Sequence, residues 1–392
     1  MSLELLYGNA VSGKQRFERT ELQDRLMRTL ASSGGVKMFG LRRIGKSTLR
    51  LFVAEQLKKT GKPYAFVDAQ GLQSIEDLLA ELFRALPRDS SLTARTLALV
   101  SKESPIKSLL EGLAKGTKLG ENLVTAYWKE AYNCIRDALK DTPERPVLII
   151  DEFPFLLKNV LERDASAGRD QVNQLLAAMR EWRGAGMKML LTGSIGMTAL
   201  SRKYGLSRDH LNDLLPFDVP ELTVDEARQF VRQATECSPG GAWSEEHTVE
   251  LLKQTGVLYP SFLVKGLLEL GISAPPTPED FADIFATRVR PVLHEDFYEQ
   301  FRRRFRLYGE IDKQLQGQLV APALKRIVES ETAARLDDMA LPEGYTRIDL
   351  AEVLDMLVED GFVRFAEDAE GNRSWLPGSR LAKLWWKRAR LA

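Results

Sequence analysis

The chain has 392 residues, 44% hydrophobic and 28% charged, with Lys+Arg and Asp+Glu each numbering 55. That length exceeds one ordinary core and predicts two or three domains, while the balanced charge gives no global support for a nucleic-acid or membrane partner. Apolar runs such as 147–150 are far shorter than the roughly twenty residues of a spanning helix, the start lacks a leader-like layout, and Cys134 and Cys237 lack metal-like spacing, so a cytoplasmic protein without zinc or disulfides is expected.

The first predicted element is a strand at 36–39, followed by Gly40-Leu41-Arg42-Arg43-Ile44-Gly45-Lys46-Ser47-Thr48 and a helical pattern over 49–57. G-x-x-x-x-G-K-[ST] between a strand and a helix is a phosphate-binding loop: glycines let successive backbone N–H groups turn inward, and the helix adds its positive end. The nucleotide-contacting set is therefore Gly40, Arg42, Arg43, Ile44, Gly45, Lys46, Ser47 and Thr48. Lys46 would neutralise β/γ-phosphate charge, and Ser47 would give its hydroxyl to Mg²⁺.

A short strand at 63–68 and an amphipathic helix at 74–86 continue a strand–helix alternation that predicts a parallel α/β sheet. Residues 90–122 read as a variable helical insertion, and a helix follows at 123–139. Next, Val147-Leu148-Ile149-Ile150-Asp151-Glu152 is an apolar strand ending in two acids. By itself this could be a solvated strand terminus; after a phosphate loop it is the other half of an ATPase site. Asp151 would hold Mg²⁺ through water, and Glu152 would orient and deprotonate the attacking water.

A helix at 171–183 leads to a strand at 188–191 ending in Thr192-Gly193-Ser194. Thr192 or Ser194 could reach the γ-phosphate or the lytic water, the alternative being a turn with a capping serine. Arg208, with Arg202 second, stands before a strand-like segment at 217–219 and is the candidate to complete a neighbouring subunit's site; a solvated surface arginine is the competing reading.

The pattern then turns helical. Thr223 and Glu226 form a capping box, and helices at 224–234, 244–254 and 261–270 predict a small lid over the nucleotide. A proline-rich linker at 274–278 precedes helices at 278–304, 321–335 and 348–359, then a hairpin of 361–365 with 373–376. Helices followed by a hairpin suggest a winged helix. Its groove-entering helix would carry Asp349, Glu352, Asp355, Glu359 and Asp360 against Arg347 alone, which phosphate repels, so packing on its own core or on a protein is favoured over DNA. Basic clusters at Arg302, Arg303, Arg304 and Arg306 and at 380–390 read either as solvated helix faces or as nucleic-acid contacts. Trp385 and Trp386 should anchor the final helix in an apolar groove.

The segments 17–22, 40–47, 148–153 and 191–194, with the double arginine inside the loop, resemble the archaeal-type ATPase family, a branch of AAA+ ATPases related to origin-recognition ATPases and to the STAND signalling ATPases. The likeness covers roughly 5–270. It implies an AAA+ nucleotide-binding domain over 1–220, a helical lid over 221–274 and a winged-helix-like domain over 275–392. It also implies adenine over guanine, cover of the base by the region of Arg19, and a lid contact from Pro260, although Leu258 stands where the family places a glycine. No lid arginine offers a second sensor, and Lys265 is the candidate in its place. The expected activity is an ATP-dependent switch, with Mg²⁺, acting on a protein partner or a homo-oligomer; the alternative is a DNA-binding ATPase of origin-recognition or transposition-regulator type.

Overall fold

The computed structural model describes residues 3–85, 121–140, 142, 145–207, 209–236 and 243–389. Most of the 90–122 insertion and Arg208 lie outside the described residues.

Five strands form one parallel sheet in the order β2-β3-β4-β1-β5: β1 Gly35–Phe39, β2 Tyr64–Asp68, β3 Val147–Asp151, β4 Lys188–Gly193 and β5 Leu214–Pro216. Helices α1 Thr20–Ser32, α2 Lys46–Lys59, α3 Ile75–Ala85, α4 Glu121–Lys140, α5 Phe153–Arg163, α6 Ala165–Gly184 and α7 Met197–Tyr204 accompany it. Every residue of β3 is buried, as both-face cover requires of a central parallel strand. This is the α/β architecture expected.

Two predicted boundaries shift here. The strand expected at 217–219 lies at Leu214–Pro216, where it pairs with β1. Pro216 cannot extend a ladder from its own nitrogen, and Phe217 and Val219 turn into the core instead. Helix α5, which the sequence reading did not include, carries Pro154 in its first turn, where a missing N–H costs nothing. Helix α6 starts at Ala165, earlier than expected, because the Asp164 side chain accepts from Ser166 N and Ala167 N, both at 3.0 Å.

Helices α8 Val224–Thr235, α9 Glu245–Thr255 and α10 Pro260–Leu270 follow, α8 opening on the reciprocal Thr223–Glu226 capping box. Then Phe281–Ile284, a π-helical stretch Phe285–Val289 and the long helix α11 Arg290–Ile311 run on without a break. After Lys313–Val320, helix α12 Ala321–Glu329 ends at Ser330 rather than 335. Residues Ala334–Arg335 instead make strand β6, where pairing with β8 overrides local helix propensity. Helix α13 Arg347–Glu359, strands β7 Val363–Glu367 and β8 Arg373–Pro377, and helix α14 Arg380–Ala389 complete the chain. The second sheet, β6-β8-β7, is antiparallel, and the helix–strand–helix–hairpin order is that of a winged helix.

Trp385 and Trp386 are buried, with the Trp385 ring 5.3 Å from Phe362 and 5.6 Å from Phe301. One continuous apolar cluster runs from β1 and α2 through the α8–α10 helices into α11, α13 and α14, so the C-terminal region is packed on the rest of the molecule.

Candidate active site

The register of the sheet decides which polar groups meet. Because β4 lies between β1 and β3, with Met38 opposite Thr192 and Ile150 opposite Leu191, the carboxyl ends of all three strands finish side by side. Ligands of open α/β sheets bind in the crevice at such ends. A cavity of about 420 Å³ opens there, lined by the phosphate loop, Glu152 and Gln70, with Phe17, Val219, Phe230 and Val264 as apolar wall.

The loop turns around Gly45 at φ 109, a region glycine enters without a steric penalty, and Arg43 is held at φ 67, where a side chain is strained. Lys46 is buried, and its Nζ donates to the carbonyls of Gly40 (3.0 Å) and Leu41 (2.6 Å). Burial pushes this ammonium down to about 8, against the pull of the neighbouring Glu152 carboxylate. An anion entering the cavity would relieve that cost, so the cradle fits phosphate.

Asp151 is the meeting point of three elements. Its Oδ1 accepts from Thr192 Oγ1 and from Glu152 N at 3.1 Å. Its Oδ2 lies 3.2 Å from Arg50 Nε, an ion pair by distance though off the line of a hydrogen bond. Arg50 also stacks over Phe66 at 4.2 Å. Together Ser47 and Asp151 offer hard oxygen donors, the type Mg²⁺ takes alongside substrate phosphates. Among the described residues there is no group of three His, Cys, Asp or Glu side chains arranged for a metal.

Glu152 follows at φ 52 and ψ 34, left-handed for a non-glycine residue, at the N-cap of α5. Its Oε2 accepts from both Ser194 N and Ser194 Oγ at 2.9 Å, while among the described residues Oε1 takes no hydrogen bond. Gly193 makes room for this turn: a Cβ there would stand 2.5 Å from Pro154 Cδ. Ser194 does not cap α7, whose N-cap is Gly196.

Both loop arginines line the cavity, but their guanidinium groups are engaged by other side chains. Arg42 Nε donates to Ser194 Oγ at 3.2 Å, and Arg43 is ion-paired with Asp296 and bonded to Tyr7. Ile44 is buried in the core, and Thr48 Oγ1 accepts from Val11 N at 3.5 Å. Arg19 lines the cavity but commits its guanidinium to Glu226 and to the carbonyls of Pro220 and Glu221. Pro260 also lines it, at the first turn of α10, while Lys265 pairs with Glu269 at 2.5 Å. Arg202 faces α13 of its own chain, 2.7 Å from Glu352 and 3.8 Å from Asp349.

The largest correction concerns Arg304. Grouped by sequence with Arg302, Arg303 and Arg306, it is only 4% exposed. The signal was present: Phe297, Phe301, Arg304 and Tyr308 share one helical face, so the arginine sits in the apolar stripe. Arg50 was also missed, although its place three residues after Ser47 puts both on one face of α2.

A family model described as an AAA domain matches residues 30–200. No curated protein matches the sequence. Among solved structures, a Walker-type ATPase of Pyrococcus abyssi superposes with a TM-score of 0.55 at 16% identity, covering 96% of this chain and 98% of that one. The Aeropyrum pernix ORC2 protein in its ADP form gives 0.46 at 16% identity, over 98% and 97%. Pyrobaculum aerophilum Cdc6p gives 0.42 at 11%, over 96% of each. Residues 30–200, which carry the phosphate loop and the acid-ended strand, thus match an AAA domain. Among the described residues no helix is long and apolar enough to cross a membrane.

Proposed function

We propose that this chain is an ATP-hydrolysing switch of the origin-recognition-like AAA+ branch, signalling through the α8–α10 lid and the C-terminal winged helix to a protein partner or to a further copy of itself in a homo-oligomer. The reading rests on one juxtaposition: Lys46 and Glu152 line one cavity at the ends of adjacent strands, with Asp151 next to Glu152 at the end of β3. Lys46 and the loop N–H groups bind the β- and γ-phosphates, while Arg19, Pro260 and the apolar wall flank the base. Ser47 and Asp151 would hold Mg²⁺, which when bound neutralises phosphate charge.

Glu152 Oε1 then accepts a proton from water as the water oxygen bonds to the γ-phosphorus and the bridging oxygen leaves with ADP. Thr192 holds Asp151 and Ser194 holds Glu152, so both side chains at the β4 tip fix the acids. Arg208 is the proposed contribution to a neighbour's site. DNA is not favoured as the partner of α13, whose acids face Arg202. ATP turnover and calorimetric ATP binding, compared between wild type and Glu152→Gln, test the reading. Binding should persist while turnover falls by about 10²- to 10³-fold; equal turnover in both would remove Glu152 from the reaction.

A further inference from the structure

Helix α11 presents Asp296, Gln300 and Arg304 at successive four-residue steps, one row on one face. Each member of the row reaches the candidate site. Asp296 pairs with Arg43, Gln300 Oε1 accepts from Arg42 N at 2.7 Å, and Arg304 donates through Nη2 to the carbonyl oxygen of Ser194. Ser194 is the residue whose N–H and hydroxyl both hold Glu152 Oε2. A buried guanidinium therefore grips one side of a peptide segment whose other side grips the acid.

Arg304 is in turn held by the winged helix. Its Nη1 donates to Asp360 O at 3.3 Å, and its Nε lies 3.5 Å from Asp360 Oδ1. Asp360 also accepts from Tyr308 Oη at 2.5 Å and from Gly196 N at 3.1 Å, while the adjacent Glu359 accepts from Thr198 N at 2.7 Å. The end of α13 is thereby fastened to the start of α7, just beyond Ser194. Gly361 comes close against the phosphate loop itself, where an added Cβ would meet Leu41 at 3.3 Å.

We propose that Arg304 is a positioning residue for hydrolysis: by fixing Ser194 it orients Glu152, and it does so only while the winged helix is docked on the AAA domain. This rests on the reading of Glu152 as the base. Burying a guanidinium is costly unless its donors are used, and here they are spent on Ser194 and Asp360. Undocking the C-terminal region removes Asp360, frees Ser194 and leaves Glu152 without its fixed orientation. Turnover would thus depend on C-terminal docking while nucleotide binding, carried by the loop, would not.

Two variants of the full-length protein test this beside Glu152→Gln. Arg304→Lys keeps a charge opposite Asp360 but lacks the planar fork whose two separate nitrogens reach the Asp360 and Ser194 carbonyls; the pair Arg304→Met with Asp360→Asn removes both charges together and leaves none unpaired. Each should lower kcat by about tenfold or more while KM and ATP affinity stay within about twofold, since misplacement of a reacting group by an ångström costs on that scale. Ser194→Ala should lower kcat likewise, and adding Arg304→Lys to it should bring no further loss, because both act through one contact. The control Arg303→Ala, at an exposed position, should match wild type.

An unchanged kcat in either folded Arg304 variant overturns the proposal, as do losses that multiply with Ser194→Ala or a fall in kcat matched by a fall in ATP affinity. If Glu152→Gln keeps full turnover, the reading of the base fails and this inference with it. If that variant is slow and Arg304→Lys is not, the inference alone fails.

Discussion

The parallel sheet and the C-terminal region treat polar groups in opposite ways. In the sheet, β3 runs buried to its end at Asp151, and Lys46 and Glu152 line the cavity that opens there. In the C-terminal region Arg304, Tyr308 and Asp360 are buried against one another and against the segment between β4 and α7. The first arrangement holds charge beside an open cavity; the second consumes charge to fix how two parts of the chain dock. Polar burial alone therefore does not mark a substrate site. What separates the two is whether the charged groups line that cavity.

Removing one partner is the sharpest way to break this comparison. Arg304→Ala leaves Asp360 buried and unpaired and should destabilise the protein by about 3–5 kcal/mol, read as a lowered urea midpoint. Lys46→Ala, in contrast, removes a charge awaiting its partner. It should weaken ATP binding by about a hundredfold or more in calorimetry, without lowering the urea midpoint, because a buried and poorly solvated ammonium is lost.

The pH dependence separates the regions more finely. Lys46 has a folded value of about 8 against an ordinary 10.5, so between these values the unfolded chain binds more protons than the folded one. Stability from this group therefore rises with pH across that window, while below it the full cost of burying the charge is paid. Phosphate favours the charged form. ATP affinity should fall above about pH 8, by up to about tenfold per unit, with proton uptake visible as buffer-dependent heats. The smallest effect is expected at Arg302, whose exposed pairs with Glu295 and Glu299 should be worth less than about 1 kcal/mol in a melting experiment on Arg302→Ala.

Legibility followed the same division. The phosphate loop, the acid-ended strand, the Thr223 capping box and the hairpin were all readable because each is a local pattern whose chemistry depends on near neighbours in sequence. The boundaries that moved were those a distant segment decides: β5 follows its pairing with β1, and α12 stops where β6 meets β8. The acidic character of α13 was legible. That its acids would find Arg202 and the N–H groups of Gly196 and Thr198 was not, since about 150 residues or more separate the partners in the chain.

By itself the sequence determined that this is a P-loop α/β protein with a lysine, a serine and two acids of the kinds that handle a phosphoanhydride, since spacing along one loop and one strand end sets that chemistry. Only the tertiary structure decided that Arg304 belongs to the interior and that a row on α11 touches both loop arginines and Ser194. Periodicity tells which residues share a helical face, but the chemistry of a face is fixed by what packs on it, and here a carboxylate and a carbonyl oxygen turned an apolar stripe into a place for a charge.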